Sequence, residues 1–221
     1  MLFYNEKEYQ DALEYIEAIF TLGGLSECGK TSAGVYLEEL PYNIKRYKII
    51  HFEKDMMEAR GYDLSNGMHD NHFIDLYAEP HRDEAFKEFI IRLVAQMKKD
   101  NVKRASIESL YRAPFGLFLK GELGIKCANI YISVPIELRA KRQWEKNCSK
   151  GQISVTLEET LAKVEKKDIF KNKHRASECN ESADYVVDNG YDVSREMFLN
   201  SIKKIAVDTI NSSLGENIYD Y

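Results

Sequence analysis

The sequence predicts an α/β fold, with a mostly parallel sheet covered by helices on both faces. Three observations carry this expectation. Segments rich in β-formers alternate with segments of helical period, so successive strands need crossover connections. A glycine cluster separates the first strand from the first long helix. The 221 residues are 44% hydrophobic and 30% charged, with 12 glycines and 4 prolines, which excludes collagen-like, low-complexity and disordered chains. This length fits one domain over residues 1–221 with a small appended lobe.

Residues 1–15 form a short amphipathic lead-in. Residues 16–22 are rich in β-formers and run into Gly23, Gly24, Gly29 and Gly34, which reads as strand, loop, helix. The helix over 30–40 sets Ala33, Tyr36, Leu37 and Leu40 on one stripe, and Pro41 ends it. Residues 46–52, RYKIIHF, fit a strand and the first half of a helix equally well. Residues 61–80 hold Gly61, Gly67 and polar clusters and read as a mobile connection or part of a substrate lobe. Over 83–99, Phe86, Phe89, Ile90, Leu93, Val94 and Met97 share one helical face. A strand over 104–110, a short helix over 114–120 closed near Gly121 or Gly124, and a strand over 128–134 follow. Pro135 suits the first turn of a helix over 136–146. After polar residues 147–155, Thr156 and Glu159 make a T-x-x-E capping box that opens a charged helix towards Arg175. A strand over 183–188 precedes a helix from Ser194, with Phe198, Ile202 and Ile205 on one side, and a polar tail.

The 31 Lys and Arg against 36 Asp and Glu give a net charge of -5, which argues against a general binder of nucleic acid or anionic membrane and leaves room only for a local basic cleft. No apolar run approaches the roughly 18 residues of a membrane span. The opening residues are too acidic and interrupted for a signal peptide, so a cytoplasmic protein with no membrane partner is expected. Cys28, Cys127, Cys148 and Cys179 lie far apart without a CxxC pair and read as reduced thiols. His69, Asp70, Asn71 and His72 read as polar surface, and Trp144 as a helix-packing residue.

The strongest signal is Gly24-Leu25-Ser26-Glu27-Cys28-Gly29-Lys30-Thr31, which fits G-x-x-x-x-G-K-[ST] and continues into Ser32. Glycines at these positions let consecutive N–H groups face one anion, and the following helix adds its positive end. In this pattern Lys30 reaches the β- and γ-phosphates and the Thr31 hydroxyl ligates Mg²⁺, so ATP or GTP binding is expected. With neither an N-K-x-D guanine signature nor an apolar run ending in paired acids, a small-molecule kinase using ATP and Mg²⁺ is favoured. The alternatives are a nucleotide-sensing module without turnover, and a polynucleotide kinase, which the acidic charge disfavours.

Glu108 falls at the carboxyl end of its strand, placed to support the metal or take the acceptor's proton, or to be simply a solvated strand end. Arg112 can hold a substrate phosphate or carboxylate, and Lys45 and Arg46 can meet an anionic substrate at the mouth of the lobe. Arg139 and Arg142 share a helix face and would make a lid over residues 139–175 that closes on the phosphates, with Lys171, Lys173 and Arg175 opposite.

The chain resembles the nucleoside-monophosphate-kinase-like branch of P-loop kinases, dephospho-CoA kinase in particular. The matching segments are GGLSECGKT, SIESLYR, YISVPIELRAKR, the D-x-x-K of Asp168 and Lys171, and ADYVVDNG. The resemblance implies a three-layer fold with a parallel five-stranded sheet, a substrate lobe over 43–80, an arginine-bearing lid, and Asn189 and Gly190 near the adenine. It implies a nucleotide, nucleoside or CoA precursor as acceptor. The family often carries Asp-Gly where this chain has Glu108-Ser109, and the segment 45–80 matches none of its pieces.

Overall fold

The structure, a computed structural model, describes residues 5–151 and 154–215. The expected polar tail and residues 152–153 of the expected lid lie outside the described residues. In chain order the elements are α1 (Glu6–Tyr15), β1 (Ala18–Gly23), α2 (Lys30–Glu39), β2 (Ile44–Lys48), α3 (Ile49–Ala59), α4 (Asp70–Leu76), α5 (Arg82–Lys99) and β3 (Arg104–Leu110). They continue with α6 (Ala113–Leu123), a 3-10 turn (Gly124–Lys126), β4 (Cys127–Ser133), α7 (Ile136–Ser149), α8 (Leu157–Lys173), α9 (Glu178–Glu181), β5 (Tyr185–Asp188) and α10 (Arg195–Leu214).

The five strands form one parallel sheet in the order β2-β3-β1-β4-β5. The order reverses between β1 and β3: β1 leads through α2 to β2 on one side, and β3 leads through α6 to β4 on the other. A crevice therefore opens beyond the carboxyl end of β1, where ligands of open α/β sheets bind.

Side-chain alternation sorts the strands between two cores. Ala18, Phe20 and Leu22 of β1 with Ala128, Ile130 and Ile132 of β4 pack against α2 and α10. Ile19, Ala105, Ile107, Cys127 and Tyr131 face the other way, into a core completed by α1, α3, α5 and α6. There Phe86 stacks on Phe115 and Phe89 meets it edge-on, both with centroids 4.8 Å apart. Burying each such ring contributes about 1.5–3 kcal/mol. The buried Thr21 hydroxyl donates to Asn129 Oδ1 at 2.7 Å, and Asn129 Nδ2 donates to the Gly116 carbonyl, so this polar pair costs the core no unmet donor.

The ambiguous RYKIIHF is both things: β2 ends at Lys48 and α3 starts at Ile49. Its apolar positions serve a strand face at Tyr47 and a helix face at Ile49 and Phe52, which no single period describes. Residues 44–48 therefore belong to the sheet, although the expected substrate lobe over 43–80 includes them. The segment expected as a connection contains α4, and Phe73 and Leu76 bury in the same core as α3 and α5. The capping box at α8 forms as read: Thr156 Oγ1 accepts from the Glu159 N–H and Glu159 Oε2 accepts from the Thr156 N–H. All four cysteines are free thiols, and no helix among the described residues is long and apolar enough to cross a membrane.

Candidate active site

The loop between β1 and α2 turns on left-handed residues, Gly24 at φ +124°, Glu27 at +60° and Gly29 at +111°. Gly29 is the N-cap of α2. A Cβ there would lie 2.6 Å from Asn189 Nδ2, so backbone strain and close approach both demand glycine. No side chain caps α2, which leaves its first N–H groups to a ligand or water.

Above the loop lies a cavity of about 660 Å³. Residues 26–32 form its floor, and Ser109, Arg142, Lys146, Lys171, Asn189, Val193, Arg195 and Phe198 its walls. Lys30, Arg142, Lys146, Lys171 and Arg195 face a single acid, Glu27, so the cavity is cationic within an acidic protein. Burial, reinforced by the neighbouring Lys30 charge, lowers Lys171 to about 8. An anion bound here would raise it back towards its ordinary value.

The buried Lys30 ammonium donates to the Gly24 and Leu25 carbonyls at 2.8 and 2.6 Å and to Cys28 Sγ at 3.4 Å. Thr31 Oγ1 lies 3.4 Å from Glu108 Oε2, while Glu108 Oε1 accepts from Arg46 Nη1 at 2.8 Å. The β3 register carries Glu108 beside Leu22, one residue short of the loop. Ser109 follows at φ +72°, where the β1–β3 register shifts, and the irregularity turns it to the cavity wall. Gly34 makes room for this group: a Cβ would lie 2.7 Å from Glu108 Oε1 and 2.8 Å from Arg46 Cδ.

The expected lid arginines divide. Arg142 lines the cavity and donates to the Asn189 carbonyl at 2.8 Å. Arg139 does not: it is 3% exposed, bonds Asp168 with two nitrogens at 3.1 and 2.7 Å, and donates to the Ser26 and Val134 carbonyls. This corrects the reading of Arg139 as a free lid charge. Its partner is a buried carboxylate, and together they pin α7 to α8 under the loop. The D-x-x-K thus splits its duties, Asp168 to Arg139 and Lys171 to the cavity.

Asn189 Nδ2 donates to the Cys28 carbonyl at 2.9 Å and braces the loop from its wall. Lys45 is also displaced from its expected place: it pairs at 2.7 Å with Glu38 on α2. Arg46, expected at the substrate mouth, holds Glu108 instead. Arg112 is buried against Glu53, with the Tyr111, Tyr77 and Phe73 rings 4.3–5.0 Å from its guanidinium carbon. Burial pushes the Glu53 carboxyl up, against the opposing pull of Arg112. Sequence reading passed over Lys146, Arg195 and Phe198 as cavity residues. Lys146 and Arg195 carry no local pattern that separates them from other helix charges, and the stripe of Phe198 with Ile202 and Ile205 signals only packing.

The donors fit a polyphosphate and Mg²⁺. Curled backbone and five cationic side chains suit the anion. One hydroxyl and one carboxylate suit a hard cation that keeps water and phosphate oxygens as its other ligands. No group of three or more His, Cys, Asp or Glu stands ready to hold a metal by itself among the described residues.

No protein-family model and no curated protein matches the sequence. Solved structures do. An uncharacterized protein from Eubacterium ventriosum is 14% identical over 88% of this chain and 99% of its own, with a TM-score of 0.52. The chain has a nucleoside-monophosphate-kinase-like P-loop fold. Also similar, at lower TM-scores, are a shikimate kinase from Acinetobacter baumannii in complex with shikimate (16% identity, 95% and 99% coverage, 0.42) and a gluconokinase from Sinorhizobium meliloti (10%, 90% and 98%, 0.47). In this P-loop chain the crevice at the sheet's reversal point and the cationic cavity coincide.

Proposed function

We propose that this P-loop protein is an ATP-dependent kinase that transfers the γ-phosphoryl group to the hydroxyl of a small molecule. The observation that carries the reading is the meeting of Thr31 and Glu108 at the rim of a cationic, glycine-curled loop. A metal-supporting pair beside a polyphosphate cradle serves phosphoryl transfer, whose catalysis is mostly positioning and charge stabilisation.

Thr31 and Glu108 would hold Mg²⁺, which supplies charge neutralisation at the β- and γ-phosphates. Arg46 fixes one Glu108 oxygen so that the other faces the Thr31 hydroxyl. Lys30 exchanges its loop carbonyls for phosphate oxygens. Arg142 and Lys171, on the two lid helices, add charge where it builds during transfer. The acceptor oxygen forms its bond to the γ-phosphorus as the bond to the bridging oxygen breaks. ADP leaves with that electron pair, and the acceptor's proton passes to water.

The test is ADP formation with ATP, Mg²⁺ and a panel of nucleosides, nucleoside monophosphates, dephospho-CoA and simple hydroxylated acids. Lys30→Ala should abolish turnover and leave the circular dichroism spectrum unchanged. Normal turnover by that variant overturns the reading. ATP binding without acceptor-dependent ADP points to a nucleotide-sensing module instead.

A further inference from the structure

The two segments that border the loop cavity at Ser109 and Lys171 also border a second cavity, of about 310 Å³, at Arg112 and at Lys173 and His174. Its body is apolar, made by Phe73, Tyr77, Phe86 and Pro114, and no carboxylate lines it. Most of its basic groups are already matched. Glu53 takes Arg112, and Asp70 Oδ1 lies 2.6 Å from His174 Nε2. Glu79 takes Arg82 at 2.6 Å, and Glu178 takes Arg175. Among the described residues Lys173 has no ion-pair partner, so the wall offers rings and one uncompensated positive charge.

We infer that this second cavity receives the phosphoryl acceptor, and that the acceptor is a hydroxylated molecule with an apolar, ring-sized body and a single negative charge. The inference rests on the kinase reading above. The size suits a small ring compound, and a few charged groups around an apolar body fix orientation. A nucleoside monophosphate or a CoA precursor brings a multiply charged phosphate, which is best met by a guanidinium free of its own carboxylate. Arg112 is not free: it is paired with Glu53, its Nη2 donates to the Tyr111 hydroxyl, and three rings surround it. The acceptor's hydroxyl would point towards Ser109 and Lys171, where the segments shared by the two cavities lead to the loop.

The probe is 4-(hydroxymethyl)benzoate, with binding read by calorimetry and its phosphate ester by phosphorus NMR in the presence of ATP and Mg²⁺. Ile74 edges the cavity and is 57% exposed, so Ile74→Trp fills the space without disturbing the core. The expected result is probe binding and ester formation by the natural protein, weakened at least about tenfold in Ile74→Trp with ATP affinity unchanged. Lys173→Glu should weaken the benzoate and spare the uncharged benzyl alcohol. Preferential phosphorylation of AMP, or probe binding indifferent to Ile74→Trp, overturns the inference. ATP bound and no probe bound overturns it alone, whereas failure to bind ATP removes the kinase reading and this inference together.

Discussion

Lys171 shows how burial turns a common side chain into a sensor of its ligand. Burial and the Lys30 charge disfavour its protonated form, at about 8 against an ordinary 10.5. The folded protein therefore holds fewer protons than the unfolded chain between these values, and this group's contribution to stability rises with pH across that window. An anion reverses the preference. Nucleotide affinity should hold below about pH 8 and fall above it, by up to about tenfold per pH unit, and Lys171→Met should flatten the profile measured by calorimetry. Arg139 and Arg142 differ in kind. Arg139→Ala strands buried Asp168 and should cost about 3–5 kcal/mol in urea unfolding. Arg142→Ala should lower turnover more than ATP affinity and leave the unfolding midpoint nearly unchanged. The sequence made both arginines visible as neighbours on one face; the distinction was hidden because Asp168 lies 29 residues away and meets only Arg139. Glu53 is likewise 59 residues from Arg112, and no local pattern announces such a pairing.

At the scale of elements, α2 does more than end the P-loop. Helix propensity alone makes alanine better than glycine at an interior position by about 1 kcal/mol. At Gly34 the added methyl would press on the Glu108–Arg46 pair. Gly34→Ala should therefore keep the helix, by circular dichroism, yet raise the Mg²⁺ concentration for half-maximal turnover by about tenfold. The elements legible beforehand were those whose signals are local: the glycine spacing of the loop, the apolar stripe of α5, and the Thr156–Glu159 box at α8. The junction of β2 with α3 was not, because a strand and a helix abut without a turn and their buried positions merge into one apolar run. Helix α4 escaped because its seven residues carry only Phe73 and Leu76 into the core, fewer than a period needs to show.

For the whole molecule, the parallel sheet has a core on each face, while α4 and the end of α8 meet through side-chain contacts. One is the Asp70–His174 contact, between α4 and the end of α8, packed by Phe73, Tyr111 and Phe170. Asp70→Ala should speed amide hydrogen exchange in α4 and the end of α8 while leaving β1, β3 and β4 protected. Equal acceleration across the sheet would show that the contact supports the fold at large. The mostly parallel, helix-covered sheet was legible in the alternation of strand and helix, and its five strands only through the family resemblance; the closeness of residues 70 and 174 was not legible, since 104 residues separate them.

The lone tryptophan has a practical consequence. Trp144 Nε1 donates to the Val155 carbonyl at 3.0 Å, tying α7 to the segment that leads into α8, two residues from the cavity's Arg142. The molecule thus carries a built-in optical probe on the α7–α8 connection: indole emission, with no other tryptophan in the chain, should shift if that connection rearranges as nucleotide arrives, with no label attached.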